Sequence, residues 1–182
     1  MLLQVGKYYH FYNRSNNNET VFKEERNYRF FTGRYRLLMS ELVTTLAYCL
    51  MPTHFHFIIK VEAKDSALLK KRVASLLSGY TKSINKEYLR HGSLFQPRSK
   101  AKEVDDESYL ITLFSYVHQN PIRSNLVKRL EDWKYSSYRE LAGYDRSSFV
   151  DEAFLKKYFT SPNEFRKYSE EIVTEVKKKY WI

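Results

Sequence analysis

The sequence predicts an α+β fold, an antiparallel sheet with helices laid on it, and three observations carry that reading. Two apolar runs, VTTLAYCLM (43–51) and HFHFIIKV (54–61), are rich in β-branched and aromatic residues and are separated only by Pro52 and Thr53. That is the layout of two strands joined by a tight turn. Other stretches repeat apolar residues at steps of three and four, the period of an amphipathic helix. The 182 residues are 43% hydrophobic and 29% charged, enough to bury a core and too apolar for a disordered chain.

The elements follow in order. KYYHFYNR (7–14) is aromatic-rich and runs into the polar SNNN, so it reads as a strand leaving into a loop. From about Glu24 to Leu42, the residues Tyr28, Phe31, Tyr35, Leu38 and Leu42 line one helix face; Gly33 weakens that helix without breaking it. Strand 43–51 comes next, then a strand from His54 to Val61, antiparallel to it. Asp65 or Ser66 caps a long helix to about Leu89, with Leu69, Val73, Leu76, Leu77, Tyr80 and Ile84 inside. After Gly92, SLFQPRSKAKEV (93–104) gives another strand, and Pro97 sets it at an edge or at a bulge. Asp105 and Asp106 open a further helix carrying Tyr109, Leu110, Leu113, Tyr116 and Val117.

This order, β-α-β-β-α-β-α, resembles a ferredoxin-like unit (βαββαβ) with its helices on one face of the sheet, followed by one extra helix. Residues 1–130 form that main domain, and 131–182 read as a helical extension docked on it. Within the extension SPNEF (161–165) fits a helix start, with Ser161 as N-cap, Pro162 behind it and Glu164 in the first turn. Phe165, Tyr168, Ile172 and Val176 then make one apolar stripe.

Lys and Arg number 31 against 21 Asp and Glu, a formal charge of +10. Such a balance points to a polyanionic partner, nucleic acid foremost. Residues 64–102 concentrate it: ten basic side chains, from Lys64 to Lys102, against Asp65 and Glu87 alone. The single cysteine, Cys49, excludes an intramolecular disulfide and a cysteine-cluster zinc site. No apolar run approaches the ~18 residues of a membrane span, and MLLQVGKYYH lacks the pattern of a secretory signal. A cytoplasmic location with no membrane partner is the expectation.

One oddity lies inside the second strand of the pair. His54 and His56 are two residues apart, so on a strand they project from the same face while Phe55, Phe57 and Ile59 fill the other. Two neutral imidazoles on one face can chelate a divalent cation with a third ligand from elsewhere; two ordinary half-exposed histidines are the alternative. On the following helix Asn120 stands four residues after Tyr116 and shares its face, with Gln119 nearly as well placed. Pro121 biases Asn120 away from helical dihedrals, so the helix is expected to end or kink there. Gln96, Arg98 and Lys100 alternate along the predicted strand 93–104, and Arg123 is a further candidate phosphate contact.

CLMPTHFHFIIK (49–60) resembles the histidine–hydrophobe–histidine strand of the single-tyrosine HUH transposases, and SYVHQNPIRSNLV (115–127) resembles their nucleophile helix. YHFYNR, SLFQPRSK and WKYSSYREL (133–141) are similar to further segments of that family, in the same order. Among its subgroups the REP-associated tyrosine transposases are the nearest resemblance. Thr53 departs from the pattern, because asparagine is common before the first histidine.

The resemblance implies a metal-dependent cleavage and strand transfer of single-stranded or hairpin DNA through a 5′-phosphotyrosine intermediate, in DNA transposition or REP-hairpin processing. It implies Tyr116 as nucleophile, His54 and His56 as ligands of Mg2+ or Mn2+, and Asn120 as third ligand, with Gln119 the alternative. Gln96, Arg98, Lys100 and Arg123 are then DNA-binding candidates, and the protein would be associated with the nucleoid when bound. Insertion-sequence members exchange the nucleophile helix within a dimer while REP-associated members resemble monomers, so monomer and homodimer are both open. A hairpin-binding module of the same fold without chemistry, on DNA or RNA, is the second reading. It is set apart by whether His54 and His56 matter to anything but the fold.

Overall fold

In the computed structural model, which describes residues 3–145 and 149–171, four strands form one antiparallel sheet. These are β1 (Tyr8–Arg14), β2 (Val43–Met51), β3 (His54–Val61) and β4 (Lys100–Val104), in the spatial order β2-β3-β1-β4. That is the ferredoxin-like order, and every neighbouring pair is antiparallel. The β2–β3 hairpin runs from Val43↔Val61 to Met51↔His54, with an irregularity between Thr45 and Ala47. Its turn is tied down from outside, because Ser15 donates its N–H to the Thr53 carbonyl and Val21 donates to that of Pro52.

Helices α1 (Glu25–Met39) and α2 (Ser66–Glu87) cover one face. Phe31 packs on Phe55 and Phe95, Tyr35 stacks on Phe57 at 4.1 Å between ring centroids, and Tyr80 meets Phe31 edge to face. Each such fully buried aromatic stabilises the fold by about 1.5–3 kcal/mol through burial alone. Tyr35 also spends its hydroxyl on Thr45 Oγ1, as a buried phenol must. Helix α1 stops at Met39, three residues short of Leu42. Asp65 caps α2, accepting from the N–H groups of Ala67 and Leu68.

The strand expected over 93–104 is shorter: only Lys100–Val104 forms a strand, and Phe95 makes an isolated antiparallel bridge with Ser15. Pro97 has no N–H to give a ladder, and Arg98 takes a left-handed φ of +62°, which turns the chain out of extended geometry. The piece before it is instead held against the end of β1, with Gln96 N–H donating to the Arg14 carbonyl and Asn13 Nδ2 donating to the Gln96 carbonyl and to Ser99 Oγ. β4 does lie at a sheet edge.

Helix α3 (Glu107–Arg123) covers the opposite face, against β2 and β3. It starts where Asp106 accepts from the Ser108 and Tyr109 N–H groups. The expected break at Asn120 does not occur, and the helix runs through Pro121 to Arg123. Beyond it the chain wraps back along the outer edge of β2. Leu50 N–H donates to the Tyr135 carbonyl, Ser137 N–H to that of Tyr48, and Asp151 N–H to that of Thr45. The edge is thereby supplied with partners, which blunts its tendency to pair with another sheet. Short helices α4 (Tyr138–Leu141) and α5 (Pro162–Glu170) complete this wrapping. Ser161 caps α5 by accepting from the Glu164 N–H. Phe165 and Tyr168 of the expected stripe pack inward; Ile172 and Val176 lie outside the described residues. Among the described residues no helix is long and apolar enough to cross a membrane.

Candidate active site

The face of the sheet turned towards α3 carries a polar row that crosses three strands. Residues directly opposite in an antiparallel pair share a face, and Tyr12 lies opposite His56 on one side and Lys100 on the other. Arg14 lies opposite His54, and His10 opposite Lys102. Three imidazoles, a phenol and three cations therefore meet where a strand of ordinary composition would place Val and Ile. Phe55, Phe57 and Ile59 point the other way into the core.

The two histidines differ in setting. His54 is partly open, and Thr53 Oγ1 sits 3.0 Å from its Nδ1. The threonine that departs from the family pattern thus makes a bond to the first histidine. His56 is fully buried. Its Nδ1 lies 2.9 Å from His10 Nε2, the two rings stacked 5.1 Å apart, while its Nε2 has no hydrogen-bond partner among the described residues. Burial pushes the His54 pKa down to about 4, aided by Arg14. His56 is held well below the usual imidazole value by burial and by His10 and His54. Both rings are therefore neutral at pH 7 and keep a lone pair for a ligand.

Helix α3 brings Tyr116 over this row from the same chain. Its ring stands edge-on to His56 with 6.2 Å between centroids, and the Arg123 guanidinium lies 5.6 Å from the tyrosine ring. Burial raises the Tyr116 pKa, Arg123 opposes that shift, and nearby Tyr12 adds to it. Lys102 Nζ sits 5.6 Å from the Tyr12 ring.

Asn120 is on the Tyr116 face one turn later and is buried; its Nδ2 donates to the carbonyls of Tyr116 and Val117. Val117 is the carbonyl that the missing N–H of Pro121 would have served, so the asparagine amide stands in for it. This is why the helix survives the proline. Asn120 Oδ1 is then the atom of that side chain left for a cation. Gln119, the alternative, is drawn elsewhere: its Nε2 donates to the carbonyls of Ser169 and Glu171 in the extension. His118 also faces away, bonded through Nε2 to Ser137 Oγ.

Gln96, Arg98 and Lys100 are all exposed, but the first two lie in the irregular segment and do not alternate on a strand face. Lys100 does, and its partner in alternation is Lys102. His10, Tyr12, Arg14 and Lys102 belong to this row and were not singled out as site residues in the sequence. The signal for the first three was their period-two spacing in YHFYNR. Among the described residues there is no group of three or more His, Cys, Asp or Glu side chains that could hold a metal. A cation here would draw on two imidazoles and an amide oxygen, a donor set that suits Mn2+ better than Mg2+, and the partnerless His56 Nε2 is the atom that fits it.

A family model described as IS200-like transposase matches residues 4–120. A Haemophilus influenzae protein named as a REP-associated tyrosine transposase is 25% identical over 103 residues, which is 52% of this chain. The match spans only 58% of that relative's length. A solved structure of a REP-associated tyrosine transposase bound to a REP hairpin superposes with a TM-score of 0.65 at 16% identity. It covers 84% of this chain and 91% of the other, and at that identity it speaks for the fold.

Proposed function

The chain belongs to the IS200-like transposase family, and on that premise we propose that it cuts and rejoins single-stranded DNA beside a hairpin, with Tyr116 as nucleophile. The observation that carries the proposal is the Tyr116 ring 6.2 Å from the ring of His56, both from one chain. In the cleavage step the Tyr116 oxygen attacks a backbone phosphorus and the P–O3′ bond breaks. A 5′-phosphotyrosine link and a free 3′-hydroxyl result. Attack by a 3′-hydroxyl on the phosphotyrosine reverses the step and transfers the strand with no phosphodiester lost, the advantage of a covalent intermediate.

His54, His56 and Asn120 would hold a divalent cation, Mg2+ or Mn2+, which when bound screens charge developing on the scissile phosphate. The remaining work falls to the chain. A phenol is protonated at neutral pH and burial raises the Tyr116 pKa further, so its proton must leave as the oxygen attacks. Arg123, beside the ring, favours the phenolate. Arg14, Lys100 and Lys102 offer cations along the sheet face for the strand's phosphates, with Arg98 and Gln96 at its end. In this reading the protein works in the cytoplasm, on the nucleoid.

The test is a hairpin substrate with single-stranded flanks, resolved on a denaturing gel. Wild-type protein with Mn2+ should give a cleaved strand and a protein–DNA adduct, and Tyr116→Phe should give neither. Undiminished adduct from Tyr116→Phe would falsify the assignment. A binding module without chemistry is the second reading, favoured by the way Asn120 is engaged with its own helix. It predicts hairpin binding by the wild type, no cleavage with any divalent cation, and unchanged affinity after His54→Ala and His56→Ala.

A further inference from the structure

We infer that His10 is a positioning residue: it accepts the Nδ1 hydrogen of His56 and thereby presents the His56 Nε2 lone pair to a divalent cation. The inference rests on the metal-site reading of His54 and His56 and goes beyond it, because it concerns which hydrogen His56 carries and what decides it.

The geometry sets the two rings 2.9 Å apart, His10 Nε2 to His56 Nδ1, stacked with an interplanar angle of 5°. Both rings are fully buried, so water does not compete for this bond. One hydrogen is shared across it, and there are two ways to place that hydrogen. If His10 donated, the neutral His56 ring would carry its own hydrogen on Nε2. That N–H would be buried with no acceptor among the described residues, a rare and costly situation for a buried donor. If His56 donates, its Nε2 carries a lone pair instead and the hydrogen of His10 moves to Nδ1, which is just as buried, so the cost of burying an N–H does not by itself choose. The cation chooses: with His56 Nδ1 committed to His10, only Nε2 is left to ligate, and it can do so only in the form in which His56 donates to His10.

The fold builds the pairing in from two distant places. His10 sits on the central strand β1 and His56 on β3, one register step apart, since Ile58 is opposite His10 and Tyr12 is opposite His56. The contact is therefore diagonal across the strand pair, within reach of two rings. Strands on either side fix both backbones, so neither ring can drift from the other without disrupting the sheet. His54 has a local partner in Thr53. The buried histidine has no such neighbour in sequence, and β1 supplies it.

Partners that orient a ligating imidazole are generally worth about 10–100-fold in metal affinity. The experiment uses the full chain without DNA and Mn2+ as the probe, with binding read from the loss of the free-ion paramagnetic resonance signal. His10→Leu removes the acceptor at similar volume, His10→Gln returns an amide oxygen to the same place, and His56→Ala removes the ligand. The expected result is weaker Mn2+ binding by about 10–100-fold in His10→Leu, recovered for the most part in His10→Gln.

The second readout is the histidine-ring 1H–15N correlation spectrum of the wild type saturated with Mg2+, which is diamagnetic, and it requires no variant to fold. His56 should appear with its hydrogen on Nδ1, and in His10→Leu at the same Mg2+ concentration the share of that form should fall. The inference is overturned if His56 of the Mg2+-saturated wild type carries its hydrogen on Nε2. It is equally overturned if His10→Leu binds Mn2+ like the wild type while His56→Ala does not. Should His56→Ala also bind normally, the metal site itself has failed and the role of His10 falls with it.

Discussion

Asn120 serves its helix as well as its face. Pro121 leaves the Val117 carbonyl without its usual donor, and the asparagine amide supplies one at 3.3 Å. Asn120→Ala should therefore cost about 1 kcal/mol of stability in metal-free protein, measured by urea unfolding. The same change made on top of Pro121→Ala should cost clearly less, because the restored N–H at 121 then serves Val117. Equal losses in both backgrounds would show that the amide is not covering for the proline.

His118, on the other side of the same helix, gives a pH signature. Burial pushes its pKa down to about 3, whereas the unfolded chain binds a proton at this position near pH 6.5. Between those values the unfolded state holds one more proton than the folded state, so stability falls as pH drops through that window. His118→Gln should flatten the stability–pH curve there by up to about 1.4 kcal/mol per pH unit. An unchanged slope would mean that His118 titrates alike in both states. At this scale period-two spacing set His54 and His56 on one strand face, whereas Tyr116 entered only through the family resemblance. It did not reveal His10 as a partner of His56, since that depends on a pairing between strands 46 residues apart.

The elements were legible wherever local pattern and packing agreed. The bounds of β2 and β3 follow the two apolar runs to the residue, and Asp65, Asp106 and Ser161 cap the helices that their side chains suit. Misreadings occurred where a turn or a tertiary contact overrode the pattern. Arg98 folds back at φ +62°, and Pro121 is carried inside α3 by a side-chain donor. The helix that bears Tyr116 is held on its back by the extension of its own chain. Phe114 stacks on Phe154, His118 bonds Ser137, and Gln119 reaches past α5 to Glu171. A helix tied in this way would have to break these contacts to be exchanged with another copy. Light scattering at micromolar concentration should accordingly return the mass of one chain, 21.9 kDa; a stable mass of two would contradict this. Phe165→Ala, which removes a buried ring packed on His118, Tyr138 and the partly buried Phe159, should cost about 3–5 kcal/mol.

Across the whole molecule, positive charge is not confined to the site. Lys71 and Lys82 are exposed on α2, behind the sheet, while Lys100 and Lys102 share the row of His10 and Tyr12. Composition could report the excess of charge but not which face it belongs to, because that depends on how the strands align. If a strand of DNA runs along the row, Lys100→Ala and Lys102→Ala should each reduce the slope of log affinity against log salt by about 0.7. Lys71→Ala and Lys82→Ala should leave the slope nearly as it was. Filter binding of a labelled hairpin over a range of salt distinguishes the two faces, and equal effects from both pairs would refute the one-faced path.

The wrapping of residues 124–145 and 149–171 around β2 and α3 has a consequence in time. A ribosome makes about 5–20 residues per second, so the stretch from 124 to 171 emerges a few seconds after the helix it must cover. Until then Phe114 has no cover from Phe154 and His118 none from Phe165, and the newborn chain shows a sticky flank. The helix that bears Tyr116 is thus backed only once this later stretch has left the ribosome and folded onto it.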